Sequence, residues 1–143
     1  MDSTLIKFSF DVEPTGDPLT VTVEIDGQIV WQKLVDKLYN VKFTCSDIET
    51  DHVLKLSLAG KLPQQTKIDD EGNILKDSTV KFSNFSADDI DITQLLQENS
   101  QYQHNFNGQG IDTQDNFYGE MGCNGTVEFK FYSPFYLWML ENL

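Results

Sequence analysis

Between Tyr102 and Gly125 the chain sets aromatic rings among short amides and glycines. Tyr102, Phe106, Phe117 and Tyr118 lie beside Asn105, Asn107, Asn116 and Asn124. A flat ring stacks on the CH face of a pyranose, while an amide both donates to and accepts from hydroxyls, so this mixture suits glycan contact. The candidate ligand-binding set is Tyr102, Phe106, Asn107, Asn116, Phe117 and Tyr118. The competing reading is that these rings close one end of a core and the glycines only permit tight turns.

Carboxylates offer a second chemistry. They cluster as Asp69, Asp70 and Glu71 with Asn73, as Asp88, Asp89 and Asp91, and as Asp112 with Asp115. Ca²⁺ takes six to eight oxygens from carboxylates, amides and carbonyls on flexible loops, and DDEGN offers such oxygens beside a glycine. Its spacing departs from an EF-hand loop, and a plain polar turn explains the same residues. Ca²⁺ is the one ion these clusters call for, and no motif demands any other cofactor.

Catalysis has little to stand on. His52, His104 and Cys123 are scattered, and no HExxH, GxSxG or P-loop string is present, so a binding or assembly role is expected rather than an enzyme. There are 23 acidic residues against 10 lysines, with no arginine, for a net charge of −13. That charge repels phosphate backbones and anionic bilayers, which removes nucleic acid and membrane as partners. No window approaches the roughly 18 apolar residues of a membrane span. Two cysteines, Cys45 and Cys123, are too few for a disulfide framework and are expected to be reduced. The start, MDSTLIKFSF, lacks the basic and apolar regions of a signal peptide, so no cleaved export is expected.

These residues need a scaffold, and the hydrophobic period is two. Ile6, Phe8, Phe10 and Val12 alternate with polar residues, as do Leu19, Val21, Val23 and Ile25. Asp26-Gly27 then predicts a tight hairpin before Ile29, Val30 and Trp31. Further strands are predicted over Tyr39–Cys45, Val53–Leu58, Thr79–Phe85 and Val127–Phe131. Residues 61–77 read as a long loop or small excursion, and Thr93 is the expected N-cap of a short helix that turns Leu95 and Leu96 inward. The prediction is a single all-β domain over residues 1–143: an antiparallel β-sandwich, jelly-roll or carbohydrate-binding-module-like, with a short C-terminal helix or tail. Although only 39% of residues are hydrophobic, 12% are aromatic, which supplies the bulk that such an interior needs. The tail is apolar on every side, so Phe135, Tyr136, Trp138, Met139 and Leu140 either tuck against the sheet or dock a partner.

Two resemblances add to this reading. TVTVEIDGQIVWQKLV, HVLKLSLAGK and KDSTVKFSNFSADDIDI, spanning about residues 19–92, resemble small calcium-dependent xylan-binding modules. The resemblance implies a Ca²⁺ ligand at Asp77, which joins Asp69 and Asp70 as the candidate metal set. The ending, FNGQGIDTQDNFYGEMGCNGTVEFKFYSPFYLWMLENL, is similar to virion-associated proteins of tailed, marine-type bacteriophages, with Gly119, Met121, Gly122, Asn124 and Gly125 carrying the match. It implies a capsid-decorating or tail-associated virion component, assembled in the host cytoplasm and oligomeric in the particle. Its partners would be other virion proteins and host-surface polysaccharide. The alternative is a cement or adaptor protein that joins virion subunits without binding glycans.

Overall fold

The computed structural model describes residues 4–62, 67–68, 70–72, 74–105, 107–108 and 110–143. Alternation becomes two antiparallel sheets packed face to face. β1 (Leu5–Thr15) pairs with β4 (Tyr39–Ser46) and with β8 (Thr79–Ala87), while the short β9 (Ile90–Asp91) and β12 (Glu120–Met121) add to β8. The larger sheet runs β11 (Thr113–Asn116), β10 (Ser100–His104), β13 (Gly125–Ser133), β5 (Thr50–Ala59), β2 (Leu19–Ile25), β3 (Gln28–Val35). The 61–77 stretch carries a small hairpin of β6 (Lys67–Ile68) and β7 (Ile74–Lys76). Two short helices, α1 (Thr93–Glu98) and α2 (Phe135–Glu141), complete the described chain. The all-β sandwich with a short C-terminal helix is thus the observed architecture.

The predicted inward residues are the core. Ile6, Phe8, Phe10 and Val12 on β1 face Val21, Leu56 and their neighbours on the other sheet, all buried. At the β2–β3 turn Asp26 and Gly27 have φ of 52° and 82°, the left-handed pair that a tight hairpin requires. On β8 the alternation slips: Asn84 takes φ of 55° and the pairing with β1 shifts register, so Phe82 and Phe85 both point inward.

Aromatic rings bridge the layers. Phe8 lies 5.3 Å from Phe43 on its own sheet, 5.4 Å from Phe131 on the other, and 5.4 Å edge-on to Phe135 of α2. Trp138 meets Phe129 edge-on at 5.1 Å. The hydrophobic tail therefore tucks Phe135 and Trp138 into the core. Pro134 stands at the helix N-cap without a capping side chain, and Asp47 Oδ1 accepts the Phe135 N–H at 2.8 Å instead.

The expected cap of α1 is corrected. Ile92 occupies the N-cap position, and the Thr93 hydroxyl instead accepts from the Phe85 N–H at 3.0 Å, tying the helix start to β8. Asp91 accepts the Thr93 N–H at 2.9 Å, and that bond holds its carboxyl below the usual value.

Because Phe8 joins both sheets and α2, Phe8→Ala should cost about 3–5 kcal/mol, read as a fall in the urea midpoint. A loss under 1 kcal/mol would mean that the rings are not coupled in this way. A second test concerns acid. Asp11 accepts Asn40 Nδ2 and Asn84 Nδ2, each at 2.9 Å, and these bonds lower its pKa from 3.8. A lowered folded pKa gives stability that is complete above the unfolded value and lost as pH falls through the folded one. The stability gap between the parent and Asn40→Ala should accordingly be full at neutral pH and shrink in acid. A gap that is constant with pH would refute the tie.

Candidate functional site

The aromatic, amide-rich stretch folds as the β10–β11 hairpin, β12 and the start of β13. Gln103, outward on β10, pairs with Gln114 on β11 and with Thr126 on β13. Together with His104 and Thr113 they line an open groove of about 540 Å³ at the corner of the larger sheet. Asn105, Asp112 and Asn124 line it as well. The groove depends on Gly125: a Cβ there would meet the Gln103 carbonyl oxygen at 2.2 Å, so only glycine lets β13 lie this close to β10.

Its polar walls are held by internal bonds. Asn105 Oδ1 accepts the Gly108 N–H at 2.8 Å, and Asn107 Oδ1 accepts the Asn124 N–H at 2.7 Å. Asn124 in turn accepts from the Lys61 N–H and donates to the Lys61 carbonyl, both at 2.9 Å. His104 Nε2 lies 2.6 Å from the Asp115 carboxylate, with the Tyr102 ring 4.7 Å away on its flank.

The candidate rings separate into two kinds. Phe117 is fully buried, 6.1 Å from Phe82, and Tyr102 is buried too. The Tyr102 hydroxyl donates to the Cys123 carbonyl at 2.5 Å and accepts the Cys123 N–H at 2.8 Å, and burial raises its pKa. These two rings close the end of the core and present no face to a ligand, which corrects their assignment to glycan stacking. Tyr118 is 78% exposed, and its hydroxyl accepts from exposed Asn116 at 3.2 Å. Neither lines the groove. Asn107 supports the groove through Asn124, and Phe106 lies outside the described residues.

Gln103, Gln114 and Thr126 escaped the sequence reading, which sought rings. The signal available was the polar alternation of SQYQH and TQDN, which marks one solvent-facing row of amides.

The candidate metal set meets a different fate. Asp69 lies outside the described residues, and Asp70 is exposed in the turn that follows β6. Asp77 Oδ1 accepts from Lys61 Nζ at 2.6 Å, and the same ammonium donates to the Gly122 carbonyl at 2.5 Å. Lys61 is only 4% exposed. A buried ammonium thus neutralises the carboxylate that the xylan-module resemblance assigns to Ca²⁺, and the chain itself supplies the cation. Among the described residues no three His, Cys, Asp or Glu side chains gather to hold a metal.

The remaining titratable groups are tied into the scaffold. His52 Nδ1 lies 2.6 Å from Asp26 Oδ2 and its Nε2 lies 2.8 Å from the Ser46 carbonyl, so this buried ring links the β2–β3 turn to β4. Both cysteines are free. Burial pushes the Cys45 thiol up to about 12 and raises Cys123 as well, which keeps both as weakly nucleophilic thiols.

The candidate docking residues divide by helix face. Phe135 and Trp138 are buried and Met139 is half-buried, whereas Tyr136 and Leu140 are exposed together with Leu137. The tail therefore tucks one side of α2 against the sheet, which corrects Phe135 and Trp138 from docking residues to core, and its other side is open to solvent.

The chain matches no protein-family model, no curated protein and no solved structure.

Removing the Lys61 ammonium while keeping its bulk tests the internal-cation reading. Lys61→Met should destabilise the fold by about 3–5 kcal/mol, since it leaves Asp77 partly buried without its counter-charge. Lys61→Met/Asp77→Asn should recover part of that loss in chemical denaturation. Ca²⁺ or a chelator should leave the parent Tm unchanged, and a rise with Ca²⁺ would overturn the assignment.

Proposed function

We propose that this protein is a non-catalytic component of a tailed-phage particle that contacts host-surface glycans through the β10–β11–β13 groove. The observation that carries the glycan part is the lining of that groove. Four amides, from Gln103, Asn105, Gln114 and Asn124, stand with the Thr113 and Thr126 hydroxyls and the Asp112 carboxylate around one open volume. Amides and hydroxyls each donate and accept, which matches the hydroxyls of a sugar. The virion part is supported by the resemblance of the ending to phage virion-associated proteins. Burial that raises both cysteine thiols favours binding over nucleophilic chemistry.

Each such groove is shallow and polar, so a single contact is expected to be weak. Many copies on one particle convert weak sites into firm attachment, because every engagement after the first is effectively intramolecular. Display on an assembly is therefore part of the mechanism.

A second reading, that of a cement or adaptor joining virion subunits, is favoured by a separate observation. The outer face of α2 leaves Tyr136, Leu137 and Leu140 uncovered.

A glycan array with multivalent display of the chain tests the leading reading. Binding to at least one polysaccharide class is expected, without a Ca²⁺ requirement. Gln103→Ala/Gln114→Ala should weaken it by about tenfold or more, equivalent to about 1.4 kcal/mol, with Tm unchanged because both side chains are exposed. Absence of binding to every glycan would sink the glycan arm and leave the cement reading.

A further inference from the structure

Beyond the buried side of α2, its outer face carries Tyr136, Leu137 and Leu140, and Leu143 continues the apolar surface past the helix end. A cleft opens at each end of the helix. The first, of about 550 Å³, places Tyr132, Pro134 and Leu137 beside Glu49 and Asp51. The second, of about 390 Å³, places Leu95 and Leu143 beside Asp91 and Glu98. Each cleft thus combines apolar side chains with two carboxylates, and neither is lined by a lysine.

We propose that this surface docks a basic amphipathic polypeptide segment of another protein, with an apolar stripe between two groups of Lys or Arg. The apolar face gains from being covered, since contiguous exposed patches of this kind mark interaction sites. The carboxylate pairs at both ends then select the sign of what covers it, because like charges across an interface are strongly disfavoured.

A second copy of this chain fits poorly. A two-fold contact about α2 sets Glu49 and Asp51 either against themselves or against Asp91 and Glu98, and every such arrangement brings carboxylates together. The net charge of −13 adds to that repulsion. Nucleic acid and anionic lipid are repelled for the same reason. The spacing also sets a length. Seven helical residues span about 10 Å at 1.5 Å each, and with a cleft beyond each end the surface suits a segment of two to three helical turns. The inference rests on reading α2 as an assembly surface and is independent of the glycan groove.

The test uses the full-length chain, isotopically labelled for amide NMR. The probe is a synthetic helix-forming peptide with Leu at i, i+4 and i+7 and Lys at both ends, and its twin carries Glu in place of Lys. The Lys peptide should give saturable shifts confined to α2 and the rims of its two clefts, with affinity falling as salt rises, and the Glu twin should give none. Leu137→Ser/Leu140→Ser should weaken binding tenfold or more, and Glu49→Gln/Asp51→Asn several-fold, while Tm and any glycan binding stay unchanged. Shifts spread evenly over the acidic surface, equal binding of the Glu twin, or no binding would overturn the proposal. So would sedimentation showing a dimer that Leu137→Ser/Leu140→Ser dissociates, since the occupant would then be a second copy. The groove variant Gln103→Ala/Gln114→Ala reads only the glycan proposal, so the two can fail separately.

Discussion

The packing of phenylalanine rings in the layer between the two sheets is the interaction on which the rest of this molecule depends. Phe8 touches Phe43, Phe131 and Phe135, and Phe10 touches Phe82 and Phe85, so rings from both layers and from α2 share contacts. Aromatic side chains bury large areas and prefer offset or edge-on geometries, so they also fix orientation. Two consequences reach the surface. The Phe129–Trp138 and Phe131–Phe135 contacts seat α2 against β13, which leaves Leu137 and Leu140 pointing outward. At the other end, the Phe82–Phe117 contact anchors the segment just after β11 and so steadies one wall of the groove.

Polar ties then do locally what the rings do globally. The loop carrying Cys123 and Asn124 is held from three directions: the Tyr102 hydroxyl bonds Cys123, Lys61 reaches Gly122, and Asn124 exchanges two bonds with the Lys61 backbone. Burying an ammonium costs several kcal/mol unless it is paired and hydrogen-bonded, and Asp77 and Gly122 meet both conditions. A fixed loop of this kind is what an amide groove needs, because an amide that must first be ordered loses much of what its hydrogen bonds contribute.

The strands and the Asp26-Gly27 turn were legible because alternation and turn chemistry are local properties. Burial of a particular ring is not local. Tyr102 and Phe117 sit among Asn and Gly residues that read as a surface loop, yet the alternation of β10 turns Tyr102 inward and β8 places Phe82 over Phe117. Lys61 was illegible for the same reason: a lysine in a polar stretch gives no sign that a carboxylate 16 residues later will fold onto its ammonium. Thr93 shows a third kind of limit. Its type suits an N-cap, but a neighbouring strand offered its hydroxyl a backbone N–H, and tertiary contact displaced local preference. The tail divided evenly because a helix that is apolar all round has no internal signal for which face the sheet will take.

The two proposed surfaces differ in what they ask of a partner, and β13 sets their separation. The strand begins at Gly125 in the groove and ends at Ser133, directly before α2. Nine residues at about 3.3 Å each place the groove and the helix roughly 25–30 Å apart along one strand. The groove is built mainly from uncharged amides and hydroxyls, so the proposed contact there would depend on shape and hydroxyl geometry rather than on charge. The α2 surface adds carboxylates to apolar side chains, so the proposed docking there would depend on the partner's sign. A domain held at the helix end by a basic protein would present the groove at the far end of the same strand, free to reach outward. On these proposals one small sandwich would serve attachment and recognition from opposite ends of the same strand.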